Sequence, residues 1–280
     1  MSVSDQMVNP TFTRPPEQTK TGRIALITGA SSGIGRDMAR ELFRRGCSLI
    51  LVARREDRLL GLKQELLARP VRAGQSVQII ASDLARAENC YALFSQVKGQ
   101  NVDILINNAG FGLFGPFSEA PLQEELRMID TNVRAVHILT KLFLQDFCKR
   151  NSGYLLNVAS AAAFLPGPLL AGYYASKSYV LRLSEAIYEE LRRSGSRVSV
   201  SVLCPGPVRT EFDSVAGVRF SVKGLSSARV ARCAIDGMFA HKLVITPGAL
   251  MKCVRVAQRL APEKVLLRAC WHMQKRKGNA

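Results

Sequence analysis

Short continuous apolar runs alternate with stretches of helical periodicity, and a glycine-containing turn directly follows the first run. Together these predict an α/β fold, a doubly wound parallel sheet of about seven strands with helices on both faces. Strands covered on both faces read as unbroken apolar runs, and parallel neighbours need a crossover between them. The runs are RIALIT (23–28), SLILVA (48–53), VQIIAS (77–82), VDILIN (102–107), GYLLNVAS (153–160), RVSVSVLC (197–204) and HKLVIT (241–246). Helical segments fall between them near 34–45, 56–69, 86–99, 121–149 and 172–194. In such a sheet ligands bind outside the carboxyl ends of the strands, so residues just after strands are the candidates for function.

A chain of 280 residues with 47% apolar content suits one large α/β unit with a buried core. Seven cysteines without a CxxC pair read as reduced thiols, and neither a disulfide framework nor a metal site is expected. Residues 1–21 are polar and proline-containing and read as a flexible tail. Residues 22–247 form the expected catalytic unit, and 248–280 a basic helical extension. No run is long and apolar enough to predict a spanning helix, and a cytoplasmic location is expected.

TGASSGIG (28–35) follows the first strand and opens a helix. Gly29 suits the tight turn, while Gly33 and Gly35 let backbone approach a pyrophosphate and pack helix against strand. In that strand–turn–helix setting the pattern points to a dinucleotide. The second strand ends in Arg54 and Arg55 where a carboxylate would favour a free ribose 2′-hydroxyl. A guanidinium suits a 2′-phosphate, so NADP(H) is favoured over NAD, with Arg54 the better placed; solvated loop charges are the alternative.

The motifs in order resemble the short-chain dehydrogenase/reductase family over about 22–246. They are TGASSGIG, SDL with Asp83, NNAG (107–110), DTNV with Asn132, Ser160, YYASK (173–177) and PGPVRT (205–210). The resemblance implies a Rossmann-like fold and a nicotinamide cofactor. The turn with Gly29, Ser31, Ser32, Gly33, Ile34 and Gly35 would hold the pyrophosphate, and Asp83 the adenine. Asn107, Ala109 and Gly110 would line the ribose and steady the central strand. Pro205, Gly206, Val208 and Thr210 would lie along the nicotinamide. For Asp83 a helix N-cap is an alternative.

Family spacing puts the catalytic tyrosine thirteen residues after the serine and four before the lysine. Tyr173 satisfies both relative to Ser160 and Lys177, whereas Tyr174 satisfies neither. Residues four apart share a helix face, so Tyr173 and Lys177 can reach one site, while Tyr174 is rotated by about 100°. Tyr173 would be the acid/base, Lys177 its activator and ribose ligand, Ser160 the holder of the substrate oxygen, and Asn132 the holder of a water in a proton relay. A free phenol titrates near 10, and a nearby ammonium favours the phenolate.

Residues 208–227 fall where the family that the chain resembles has its variable lid, and AAAFLPGPLLAG (161–172) is almost wholly apolar, which favours a small apolar or lipid-like carbonyl substrate, such as a 3-oxoacyl ketone; subunit packing is the alternative use. Of the net charge of +17, residues 241–280 contribute +8, with nine Lys and Arg against Glu263. In 249–260, Lys252, Arg255 and Arg259 share a face. After Pro262, Lys264, Arg268 and Lys275 repeat the pattern beside the chain's one Trp. Peripheral membrane contact and packing on the core with a solvated basic face both fit. No nucleic-acid motif accompanies the charge. A homodimer or tetramer is expected from the resemblance. Two rivals stay open: an NAD-dependent alcohol dehydrogenase, and a membrane-associated nucleotide-binding regulator without turnover.

Overall fold

Seven parallel strands form one sheet in the order β3-β2-β1-β4-β5-β6-β9. They are β1 (Ile24–Thr28), β2 (Ser48–Ala53), β3 (Val77–Ala81), β4 (Ile104–Asn107), β5 (Tyr154–Val158), β6 (Ser199–Leu203) and β9 (Val244–Ile245). A computed structural model describes residues 22–212, 217, 224–248, 251 and 261–278. The expected tail 1–21, nearly all of the basic helix expected at 249–260 and much of the lid expected at 208–227 lie outside the described residues.

The strands bury both faces, as their unbroken apolar runs require. Ala25 and Ile27 of β1 and Leu49 and Leu51 of β2 enter one core cluster. Leu26, Ile50 and Val52 enter another on the opposite side of the sheet. Helices α1 (Gly33–Arg44), α2 (Glu56–Leu67) and α7 (Ser227–Phe239) cover the first face. Helices α3 (Ala87–Val97), α5 (Val136–Arg150) and α6 (Ala171–Arg193) cover the second, where Phe143 and Phe147 are fully buried.

Two elements depart from the sequence expectation. The helix expected over 121–149 is broken: α4 (Leu122–Ile129) passes through a π-helical turn, Asp130–Ala135, into α5. Such a turn widens the backbone by one residue and re-aims the side chains in it. It holds Asn132, which has no solvent exposure. Helix α7 was not anticipated, although Ser226 caps it by accepting from Arg229 N at 3.4 Å and Val230, Ala231, Ala234, Ile235 and Met238 form its buried face.

Strand order reverses at β1, whose neighbours are β2 and β4, so successive crossovers leave in opposite directions there. A crevice opens above that point, at the carboxyl ends of the strands. A short parallel pair, β7 (Val208–Arg209) with β8 (Leu225–Ser226), lies outside the main sheet and brackets the lid segment. The last helix, α8 (Glu263–Gly278), reaches back to the same end of the molecule.

Candidate active site

The turn after β1 is shaped by what glycine lacks. Gly29 has φ +65°, and a Cβ there would stand 2.8 Å from Ala109 Cα. A Cβ on Gly35 would stand 2.3 Å from Asn108 Nδ2 and 2.5 Å from the Gly29 carbonyl oxygen. Asn108 secures the turn to β4, donating to the carbonyls of Thr28 at 2.9 Å and Gly29 at 3.2 Å. The Thr28 hydroxyl accepts from the backbone N–H groups of Asn108 and Ala109. The chain thereby leaves the N-terminus of α1 open toward the crevice, where helix N–H groups and the macrodipole favour an anion. This cradle fits a dinucleotide pyrophosphate.

At the tip of β2 the side chain that reaches the turn is Arg55. Its Nη2 donates to Ser32 Oγ at 2.9 Å and Ser31 Oγ at 3.3 Å, whereas Arg54 is exposed at the rim. Asp83 also lines the crevice. Its Oδ1 accepts from Ala85 N at 3.2 Å and its Oδ2 lies 3.6 Å from Arg127 Nη2, so it closes a local turn. It is not the cap of α3, which begins at Ala87 after Arg86. Thr210 leans over Gly33, with its methyl 3.1 Å from where a Cβ would sit.

Asn107 stands apart from the other expected cofactor residues. It is buried below the crevice, donating to Thr140 Oγ1 at 3.1 Å and Asn157 Oδ1 at 2.9 Å, and so ties β4 to α5 and β5. Its reach is to the core. Gly35 and Asn132 likewise lie behind the wall, while Gly29, Ser31, Ser32, Gly33, Ile34, Ala109, Gly110, Pro205, Gly206 and Val208 face the crevice.

Ser160 follows β5 and starts a short 3₁₀ turn, with its Oγ accepting from Ala162 N at 3.1 Å. Tyr173 and Lys177 stand one turn apart on α6. Lys177 Nζ lies 5.8 Å from the Tyr173 ring centroid and donates to the Val158 carbonyl at 2.9 Å. Burial pushes the Lys177 ammonium down to about 8, and the nearby Cys204 opposes that. Burial pushes the Tyr173 phenol above its usual value, and its bond to Ser160 works the other way. Desolvation outweighs the Ser160 bond, so the free site holds a neutral phenol that can donate a proton.

Asn132 secures this arrangement from behind. Its Nδ2 donates to the Phe111 carbonyl at 2.9 Å and to Ser176 Oγ at 3.1 Å, while its Oδ1 accepts from Phe111 N at 3.1 Å. Ser176 Oγ in turn donates to the Tyr173 carbonyl at 2.7 Å. Tyr174 packs in an apolar cluster and forms part of the cavity wall, with its hydroxyl bonded to Gln274 of α8.

Ser160, Tyr173 and Lys177 open onto the same cavity as the glycine turn and the tip of β2, about 520 Å³ in all. Ala162, Leu165, Leu170, Phe212, Met251 and Met273 form its apolar wall. Met251 and Met273 escaped the sequence reading because they lie far along the chain in the basic extension. Asn108, inside NNAG, and Glu211, directly after PGPVRT, were also missed. On α8, Cys270 and Gln274 are buried against the core, while Trp271, Lys264, Arg268 and Lys275 are exposed.

A family model described as short chain dehydrogenase matches residues 23–217. The chain is 34% identical over 200 residues to dehydrogenase/reductase SDR family member 11 of Gallus gallus, covering 69% of this chain and 77% of that one. It is 30% identical over 204 residues to a very-long-chain 3-oxoacyl-CoA reductase of Anas platyrhynchos, covering 71% and 64%. The match spans 61% to 77% of the lengths of these and similarly matched curated relatives. Among solved structures, the chain resembles a short-chain dehydrogenase from Sphingobium yanoikuyae in complex with NADPH (TM-score 0.76, 30% identity, 85% of this chain and 94% of that one). It also resembles a Burkholderia phymatum short-chain dehydrogenase/reductase in complex with NAD (TM-score 0.78, 26% identity, 90% and 97%).

Proposed function

The chain belongs to the short-chain dehydrogenase/reductase family, and from that premise we propose that it is an NADP(H)-dependent oxidoreductase interconverting an apolar ketone and its secondary alcohol. The observation that carries this reading is the meeting of Ser160, Tyr173 and Lys177 at one cavity, beside an apolar stretch of its wall formed by Ala162, Leu165, Leu170, Phe212, Met251 and Met273. The bound nicotinamide supplies or accepts the hydride. Ser160 hydrogen-bonds the carbonyl oxygen, and Tyr173 delivers the proton that this oxygen needs as charge develops on it. Lys177, held by the Val158 carbonyl, keeps positive charge beside the phenol and binds the ribose. Asn132 fixes the backbone of Phe111 against α6 and serves the relay that re-protonates Tyr173.

Arg55 supports the phosphorylated cofactor, since its fork already lies against Ser31 and Ser32 at the N-terminus of α1. The apolar stretch of wall supports a lipid-like substrate, in keeping with the 3-oxoacyl-CoA reductase of Anas platyrhynchos among the similar proteins. A second reading concerns the surface of α8. Lys264, Arg268, Trp271 and Lys275 recur at helical spacing on one exposed stripe, which favours peripheral contact with an anionic membrane. Exposed Leu122, Leu126 and Ile129 along α4 support a homo-oligomer. Turnover assays with NADPH and NADH against 3-oxoacyl thioesters, steroid ketones and small aldehydes test the reading. Activity confined to NADH, or to polar carbonyls, counts against it.

A further inference from the structure

One carboxylate sits among the cationic groups at the rim of the crevice. Glu211 follows Thr210, and its Oε2 accepts from Arg55 Nη1 at 2.9 Å while its Oε1 accepts from Arg58. The other end of the Arg55 fork lies on the hydroxyls of Ser32 and Ser31. Two guanidinium groups, two hydroxyls and the N-terminus of the twelve-residue helix α1 therefore gather at one place, drawn from two separate segments. Such a cluster has the chemistry of a phosphate site. The protein's own carboxylate takes the position of the anion.

The arrangement is also easy to exchange. The side chains of Arg55, Arg58 and Glu211 are 41–42% exposed, and ion pairs at that exposure contribute about 0–1 kcal/mol. The guanidinium groups of Arg58 and Arg55 hold the Glu211 carboxyl below its usual value, so it is ionised at neutral pH. An incoming phosphate would meet both a competitor and a repelling charge.

We propose that Glu211 is an internal counter-anion that competes with the cofactor 2′-phosphate for Arg55 and Arg58, and so sets how strongly the chain discriminates between phosphorylated and unphosphorylated dinucleotides. The inference rests on the NADP(H) reading above. It adds Arg58 as a phosphate ligand that becomes available when the Glu211 bridge opens. A cofactor without the 2′-phosphate leaves the bridge intact.

The test is calorimetric titration of the full chain, as wild type, Glu211→Gln, Arg58→Gln and the double variant, with NADPH, NADH and 2′-AMP. Thermal melts confirm that each variant is folded. Glu211→Gln is expected to bind NADPH and 2′-AMP about two- to fivefold more tightly, the scale of an exposed charge pair, with NADH changed less than twofold. Arg58→Gln in the Glu211→Gln background is expected to remove that gain. Weaker NADPH binding by Glu211→Gln would mean that Glu211 holds Arg55 in a productive pose, and would overturn the proposal. Equal shifts for NADPH and NADH would overturn it as well. Wild type binding NADH as tightly as NADPH, with no affinity for 2′-AMP, would instead refute the underlying cofactor reading and take the competition with it.

Discussion

Lys177 Nζ lies 5.8 Å from the Tyr173 ring centroid and is held at 2.9 Å by the Val158 carbonyl, in a position where only 5% of the residue meets solvent. A buried ammonium beside a buried phenol is costly to the folded state, and the free protein bears that strain at its reacting centre. The folded Lys177 value of about 8 lies below the ordinary 10.5. Between those values the unfolded chain holds a proton that the folded chain has released, so stability is gained as pH rises through the window. Denaturant unfolding of wild type and Lys177→Met should therefore diverge with pH. Wild type gains about 3 kcal/mol relative to the variant from pH 8 to 10.5. Comparing the pair cancels the titrations of Tyr173 and the buried cysteines, and a pH-independent gap would show that Lys177 is not desolvated.

Gly35 and Gly61 should respond oppositely to alanine. At Gly35 the new methyl meets Asn108 and the Gly29 carbonyl at 2.3 and 2.5 Å, so the turn must shift. Gly35→Ala should lose about 1–3 kcal/mol and weaken nucleotide binding. Gly61 lies inside α2 with nothing within 4 Å of a Cβ, and Gly61→Ala should gain about 0.5–1 kcal/mol. Thermal melts with and without NADPH check both signs.

Tyr174 and Tyr173, though adjacent, should separate cleanly. Tyr174→Phe removes the hydroxyl that receives Gln274 and leaves a buried amide without that partner. It should lower stability by about 1 kcal/mol and speed amide exchange across α8, while kcat falls far less than in Tyr173→Phe. Comparable losses of kcat would reverse the assignment of the two residues.

The chain's one tryptophan, Trp271, lies on the basic stripe of α8 and reports directly on membrane contact. Its emission should shift to the blue with phosphatidylglycerol vesicles and not with phosphatidylcholine vesicles. The shift should shrink in high salt and on changing Lys264 and Arg268 to Glu. An unchanged spectrum with anionic vesicles would remove the membrane reading.

The sheet was legible because β1, β2, β4, β5 and β6 are buried on both faces, which leaves continuous apolar runs as a direct signature. Tyr173 was singled out by the spacing to Ser160 and Lys177 that the family resemblance implies, with helix geometry adding only that Tyr173 and Lys177 share a face. The break at Asp130–Ala135 was not, since a π turn keeps the composition of a helix and differs only in which backbone partners it chooses. Arg55, rather than Arg54, reaches Ser31 and Ser32 because the chain turns into α2 at Glu56, which strand and helix periodicity do not specify to the residue. Asn107 steadies the central strand as expected, but its place below the crevice was not legible, because a buried asparagine tying strands together and one lining a site look alike in sequence. Met273 reached the cavity through tertiary packing of α8, for which no local pattern exists.

The most direct test of the central claim is single-turnover oxidation of NADPH by a 3-oxoacyl thioester, with wild type beside Tyr173→Phe at matched cofactor occupancy. Wild type should turn over and the variant should lose about a hundredfold or more in rate, with NADPH affinity little changed. Equal rates in the two proteins would show that Tyr173 does not deliver the proton and would contradict the account.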